Sequence, residues 1–401
     1  MVSEHANPLA EEGDAGFDGQ CSHVADLSAA LVRAGHDVTV YTRRDRNDAA
    51  DRVETDAGYT VVHVPVGPPS YVPKHEILPL MGAFGSFLET QWERERPDIV
   101  HAHFWMSGIA TQLAARMLAV PTVQTFHALG VMENRFKVDT TPSPPSRIRL
   151  EQLIARGATR VVATSTEEVF ELGHQGLPRS RTSVVPCGVD VTAFTPHGPS
   201  AKRAMPHRLV MVGTLTPNEG FETAIDSLVH LPHTELVIGG GPPPGKLAHD
   251  PEARRLYARA EALGVRDRVH IIGYVQAKDL PTLLRSADAV VSLPWYEPIG
   301  LIVLEAMACG TPVVAAATGG MRDTVVDGIT GRLVSSRNPA RLADTIRQLF
   351  DDEVRRAGFG VAGADRARAR YSWDRIGADT LRAYGWCVAA PPRTARTASH
   401  P

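Results

Sequence analysis

The chain has 401 residues, enough at roughly 150 per domain for two or three domains, and its 43% hydrophobic and 22% charged content is that of an ordinary soluble globular protein. A net charge of −3 argues against a nucleic-acid binder that works by bulk attraction. Four scattered cysteines, Cys21, Cys187, Cys309 and Cys387, have no CxxC spacing, so neither a disulfide framework nor a zinc site is indicated, a reducing cytoplasmic home is expected, and no apolar run of about 18 residues suggests a membrane anchor.

In chain order, Met1-Val2-Ser3-Glu4-His5 reads as the tail of a buried strand whose first half is absent, an expectation that the upstream reading frame would test. A helix over Cys21–Ala34 follows, with Val24, Leu27, Leu31 and Val32 on one face and Gly35 as its stop. Strands are predicted at Asp37–Thr42, Thr60–Val66, Ile99–His103, Thr122–Phe126, Arg160–Thr164 and Thr182–Val185, with helices between them. The basic run Arg43, Arg44, Arg46 and Arg52, broken by Asp45, Asp48 and Asp51, reads as a solvated loop. Phe194 to Pro206 is proline-rich and poor in apolar residues, a linker by composition.

The alternation then restarts. Strands are predicted at Leu209–Gly213, Glu235–Gly239, Val269–Ile272, Ala289–Leu293, Pro312–Ala316 and Arg332–Val334, with helices from Gly220, over Pro251–Leu263, over Asp279–Ala287 and from Gly300. Helices at Pro339–Phe350 and Trp373–Tyr384 close the chain. Gly239-Gly240-Gly241-Pro242-Pro243-Pro244-Gly245 lacks dinucleotide-binding spacing and reads as a flexible turn. The resulting expectation is an α/β protein with two doubly wound, Rossmann-like domains at 1–195 and 207–372, a linker at 196–206, a helix at 373–388 that crosses back, and a disordered tail at 389–401. Ligands of such sheets bind beyond the carboxyl ends of the strands, so the cleft between the domains is the expected site.

The most informative segment runs from Trp295 to Val314. A strand ends, a short loop carries Glu297, and a helix opens near Gly300 with Glu305 about two turns in. The amides of Gly300, Leu301 and Ile302 form an anion-ready helix start, and the two carboxylates can bracket a sugar hydroxyl and a ribose. The plainer alternative makes Glu297 a local capping residue and Glu305 a satisfied helix glutamate.

The whole segment closely resembles the E-x7-E signature of the family-4 retaining glycosyltransferases, which have the two-domain GT-B fold. The resemblance implies that Glu297 contacts a donor sugar, Glu305 the ribose, and the backbone from Pro298 and Ile299 through Gly300, Leu301 and Ile302 the sugar and phosphates. Other segments agree: Gly35–Val40, His101–Gly108, Gln124–Gly130, Val185–Asp190, Gly319-Gly320 and Asp327–Gly331. In the family a histidine matching His127 lies beside the reacting carbon, and backbone matching Tyr274 and Val275 holds the nucleotide base. Gly19 and Gly213 fall on the donor side by the same resemblance, and Gln20, His103, Arg135 and Lys137 are the acceptor-side candidates. His101 and His103 share a strand face, but no third ligand is evident, so they are read as packing or cleft-lining residues and no metal site is expected.

The chain departs from the family in one place that matters. An arginine and a lysine that neutralise the donor diphosphate are replaced by Thr214 and Glu219, and Asp18-Gly19-Gln20 stands where Gly-Gly-Gln is usual. Charge-assisted hydrogen bonds are worth roughly 1.5–3 kcal/mol each, so losing two costs on the order of 3–6 kcal/mol of donor binding. A helix start returns only ~1–2 kcal/mol. Arg322, Lys202, Arg208 and Lys246 are the candidate substitutes. The expectation is a metal-independent glycosyltransferase with no cofactor, using a nucleotide-sugar donor and a small polar acceptor such as a cyclitol, aminocyclitol or sugar. The alternative is a catalytically silent protein of the same fold, or an enzyme with an atypical donor.

Overall fold

A computed structural model describes residues 1–11, 14, 16–136 and 143–388. The first half runs α1 (Gly19–Arg33), β1 (Thr39–Arg43), β2 (Arg52–Glu54), β3 (Thr60–Val64), α2 (Met81–Arg94), β4 (Val100–His103), α3 (Trp105–Leu118), β5 (Thr122–Thr125), α4 (Gly130–Phe136), α5 (Arg147–Gly157), β6 (Arg160–Ala163), α6 (Thr166–His174) and β7 (Thr182–Val184). Two strand sets, β1-β3-β2 and β4-β5-β6-β7, are joined through Val2, which bridges in parallel to both Tyr41 and Ala102. The amide of Val2 donates to His101 and that of His103 to Val2, so the first residues sit in the middle of one sheet. All pairs are parallel except β2 with β3.

The second half runs β8 (His207–Val212), α7 (Phe221–Ser227), β9 (Thr234–Gly239), α8 (Pro251–Ala262), β10 (Val269–Gly273), α9 (Leu280–Arg285), β11 (Ala289–Ser292), α10 (Leu301–Ala308), β12 (Val313–Ala316), α11 (Met321–Thr324), β13 (Gly331–Val334), α12 (Pro339–Asp351), α13 (Glu353–Tyr371) and α14 (Trp373–Val388). Its six strands are all parallel, in the order β10-β9-β8-β11-β12-β13. That order reverses between β8 and β11, and a doubly wound sheet opens its binding crevice at this point. The strands read as continuous apolar runs because helices cover both faces; Val290, Val313 and Val314 are fully buried. α14 packs back on the first half, where Asp374 pairs with Arg33 at 2.8 Å and the Tyr384 hydroxyl meets His101 Nδ1 at 2.8 Å. Among the described residues no helix is long and apolar enough to cross a membrane.

Four readings change. β2 and α13 have no counterpart in the sequence reading: β2 is three residues of edge strand, and α13 is rich in arginine and alanine with only a thin apolar stripe. Arg43 is buried rather than solvated, because it ends β1 facing a loop whose carbonyls at Arg44, Pro68 and Ser70 take its guanidinium. The glycine run after β9 is a fixed contact rather than a flexible turn. Gly240 has φ +139°, its amide donates to Gly273 at 2.7 Å, and a Cβ there would stand 1.8 Å from the Gly213 carbonyl. The tail from residue 389 lies outside the described residues.

Candidate active site

Three loops of the second half meet at the carboxyl edge of its sheet. After β8, Gly213–Gly220 turns into α7; after β11, Leu293–Gly300 turns into α10; the amide of Trp295 donates to the Asn218 carbonyl at 2.9 Å and ties the two together. After β12, Gly319 and Gly320 support the second loop. Gly319 has φ +52°, and a Cβ there would lie 1.8 Å from the Glu297 carbonyl, so only glycine fits. The amide of Gly320 donates to that same carbonyl at 3.0 Å.

Glu297 is half-buried, and its Oε1 accepts from the Ile299 amide at 3.0 Å. Burial raises its pKa, while the amides of Ile299 and Gly300 pull the other way. α10 starts at Gly300 with φ +73° and no side-chain cap, so its first amides have no intrahelical acceptor. Glu305 is half-buried, its carboxyl has no hydrogen-bond partner among the described residues, and burial pushes its pKa up to about 8. The capping alternative is thus met for one oxygen of Glu297, whereas Glu305 is not a satisfied helix residue.

Glu219 lies over Gly213, where an added Cβ would stand 2.9 Å from its Oε2. Burial, and then the Glu297 charge, push its pKa up to about 7. Thr214 is exposed beside it. Of the four candidate substitute cations, Arg208 is buried at the opposite, amino end of β8, paired with Glu235 at 2.7 Å, and it holds the Lys202 carbonyl. These two lie at the wrong edge of the sheet. Lys246 is exposed in the turn Pro244–His249, and Arg322 is exposed on α11 with its Nε donating to the Ala317 carbonyl. The sequence reading passed over Arg337, which follows β13 at the carboxyl edge and stacks 3.9 Å over the Trp295 ring. Tyr274 is 43% exposed after β10, and Val275 packs against Gly239.

The facing wall comes from the first half. His127 follows β5 with φ +63°, 8% exposed. Its Nε2 meets His103 Nδ1 at 3.0 Å, and its Nδ1 has no partner among the described residues. Burial holds its pKa well below 6.5, so the ring is neutral at physiological pH. It lines a cavity of about 420 Å³ together with Asp18, Gly19, Gln20, Lys74, Phe104, Glu133, Arg147 and, from the second half, Ile299. Phe104 adopts φ +75°, ψ 158°, a region rarely open to anything but glycine. That backbone sets its ring between Lys74 Nζ at 4.9 Å and the Arg147 guanidinium at 5.3 Å. Both cations are already engaged: Lys74 with Asp18 at 3.2 Å, Arg147 with Glu133 at 2.6 Å and with Glu151 at 2.7 Å.

The acceptor-side residues sort differently from expectation. Gln20 lines the cavity, with its amide donating to Ser3 Oγ at 3.2 Å. His103 is fully buried and stands behind His127 rather than in the cavity, because its strand turns it inward. Arg135 is exposed and points to Glu171 on α6 at 2.7 Å, outside the cavity lining. Lys137 lies outside the described residues. The third histidine that the sequence did not offer is His23 of α1, which joins His103 and His127. Lys74 was also missed, since it comes from a short turn in a loop with no motif around it.

The halves touch across the cleft. The rings of Phe136 and Tyr296 stack at 5.0 Å and 2°, and the Thr166 amide donates to Asp323 at 2.6 Å.

Comparison with known proteins agrees with this fold. A model of the glycosyl transferases group 1 matches residues 196–366, and one of glycosyltransferase family 4 matches 17–193. A D-inositol 3-phosphate glycosyltransferase of Xylanimonas cellulosilytica is 35% identical over 98% of this chain and 97% of its own length. The Mycolicibacterium smegmatis protein of the same description is 33% identical over 98% and 93%. Among solved structures, sucrose-phosphate synthase of Thermosynechococcus elongatus superposes with a TM-score of 0.84, 26% identity and coverage of 97% and 98%. The Anabaena protein HepE, solved with UDP and glucose, gives 0.70 at 19% identity over 96% and 98%, a likeness of fold.

Proposed function

We propose, from the premise that this chain belongs to the family-4 glycosyltransferases of GT-B fold, that it is a retaining, metal-independent enzyme moving a sugar from a nucleoside diphosphate donor to a small polar acceptor of the cyclitol, aminocyclitol or sugar class. One observation carries this reading. Ile299, two residues from Glu297, and His127 line the same cavity, so the acidic loop of one half and the histidine turn of the other face one space.

In this reading the donor sugar lies between Glu297 and His127, with the ribose at Glu305, the base along Tyr274 and Val275, and the diphosphate between the α10 start and Gly213–Glu219. Retention asks the phosphate to leave from the face on which the acceptor arrives. The protein then has to stabilise charge developing on that phosphate, which the uncapped amides of Leu301 and Ile302 are placed to do. Neutral His127 offers a hydrogen bond to the sugar but no proton. Closure across Phe136 and Tyr296 excludes water from the donor. Arg337 and Arg322, both at the carboxyl edge of the sheet, take the place of the missing cationic clamp.

The acceptor wall favours an uncharged or aminated polyol. Relatives named for D-inositol 3-phosphate transfer imply a phosphorylated acceptor for themselves. Here a phosphate would compete with Asp18 and Glu133 for the two cations of the cavity. A second reading, a family member that binds without transfer, is favoured by Glu219 facing Glu297 where a lysine is usual.

One experiment separates them. Calorimetry with a panel of nucleotide sugars, followed by turnover with free and phosphorylated cyclitols in the presence of chelator, is expected to give binding and an anomerically retained product. Binding without turnover on any acceptor favours the second reading, and a product formed only with added divalent metal refutes metal independence.

A further inference from the structure

Behind His127, on the side away from the cavity, three imidazoles converge that glycosyl transfer uses only at its edge. His23 comes from α1, His103 ends β4, and His127 sits in the turn after β5. Each offers one ring nitrogen, and the three atoms lie within 4.8 Å of one another. The rings of His23 and His127 are 4.9 Å apart, those of His23 and His103 5.6 Å, and those of His103 and His127 5.3 Å. Cys187, just after β7, closes a fourth side with its Sγ 3.3 Å from His23 Nδ1.

The hydrogen bonds of this cluster do not close. Three neutral imidazoles carry three N–H donors and three lone pairs. One contact joins His103 Nδ1 to His127 Nε2, and another joins His23 to Cys187. His103 Nε2 and His127 Nδ1 remain buried without a partner among the described residues, and His103 has no exposure at all. Buried polar atoms are nearly always paired, so two orphans in one cluster point to a missing occupant. The cavity itself supplies none for His103, which is not part of its lining.

We propose that His23, His103 and His127 form a site for a transition-metal ion of the zinc class, with Cys187 as the group that orients His23. Imidazole donors select Zn²⁺, Co²⁺ and their neighbours over Mg²⁺. Bonds of about 2.0–2.1 Å in a tetrahedral site place ligand nitrogens roughly 3.3 Å apart, so the three nitrogens would draw together from a present spread of up to 4.8 Å. The ion would draw His127 out of the cavity wall, so metal and substrate would exclude each other. The site stands on the cluster alone and does not depend on the transfer reaction.

The test uses the full chain without an affinity tag, stripped by chelator and titrated with Co²⁺ and Zn²⁺. The expected result is one ion per chain, the strong visible absorption of four-coordinate Co²⁺, and its loss on adding Zn²⁺. Zinc-edge X-ray absorption on the unmutated protein should count three imidazoles. His23→Gln and His103→Gln should each weaken Zn²⁺ by at least about a hundredfold, whereas His249→Gln, at an exposed position, should not. Fewer than three imidazoles, six-coordinate Co²⁺, or full affinity in both variants overturns the proposal. The X-ray measurement needs no variant, so a misfolded mutant cannot shield it.

Discussion

The two walls of the cleft handle charge in opposite ways. On the first-half wall, charges come in pairs: Lys74 with Asp18, and Arg147 with Glu133 and Glu151. On the second-half wall, Glu219, Glu297 and Glu305 stand with no basic side chain paired to them among the described residues, and burial raises the pKa of all three. The first-half wall sets its charge largely through ion pairs, and the second-half wall carries carboxyls whose ionised form burial disfavours. The first arrangement is fixed by geometry, and the second depends on what binds and on pH.

The sharpest way to break this contrast is to restore cations on the donor wall. Thr214→Arg with Glu219→Lys should tighten nucleotide-sugar binding by about a hundred- to ten-thousand-fold, from two charge-assisted hydrogen bonds of roughly 1.5–3 kcal/mol each. Calorimetry on the double variant reads it directly, and no gain would mean that the diphosphate lies away from Gly213–Glu219 or is already neutralised by Arg337 and Arg322. Next in size is the loss of a fixed pair. Arg147→Met should cost about 3–5 kcal/mol in urea unfolding, because it leaves the carboxyls of Glu133 and of Glu151, 1% exposed, without their cation. Glu219→Gln, which relieves repulsion from Glu297, should leave stability unchanged or higher. Equal losses in both variants would erase the distinction between the walls.

These contrasts were unevenly legible in the sequence. The E-x7-E spacing, the glycine before α10 and the apolar runs of the two sheets pointed to the fold class, most strand positions and the loop that carries Glu297, because all are local patterns. The threonine and glutamate in place of a cationic clamp were equally visible. What stayed hidden depends on contacts between distant segments. Lys74 reaches the cavity from a loop that carries no motif of its own, and His23 is defined only by how α1 rotates against β4 and β5. Arg337 becomes a donor-edge cation only once β13 is placed beside β12. Arg43 reads as a surface charge until the loop through Pro68 and Ser70 folds over it.

Glu297→Gln probes the donor wall at its reacting end. The substitution keeps the shape and the Ile299 contact but removes the carboxylate, so kcat should fall about 10²–10³-fold, the usual scale for losing one electrostatic stabiliser of a transition state. The acceptor KM should barely move, since the residues proposed to bind it are on the other wall. A kcat within tenfold of the parent would reduce Glu297 to a loop-shaping residue.

The smallest expected effect is the dependence on pH, and its sign follows from which state holds the proton. Glu219 has an ordinary value of 4.5 and is raised to about 7 in the folded protein. Between those values the native state keeps a proton that the unfolded chain has released. Its contribution to stability is therefore complete below about 4.5, declines as pH rises to about 7, and is constant above. Donor affinity follows the same direction, because an anionic diphosphate meets a neutral carboxyl below pH 7 and a second anion above it. A nucleotide sugar suits the measurement, since its diphosphate diester stays fully ionised across the range. From pH 6 to 8.5 its Kd should rise by about tenfold, the scale of one unit charge at several ångströms in a partly screened site. Glu219→Gln should flatten that profile while keeping the tighter, low-pH affinity throughout. If the slope survives in Glu219→Gln, the proton belongs to Glu297 or Glu305, and the donor wall is then tuned at the sugar or ribose end rather than at the diphosphate.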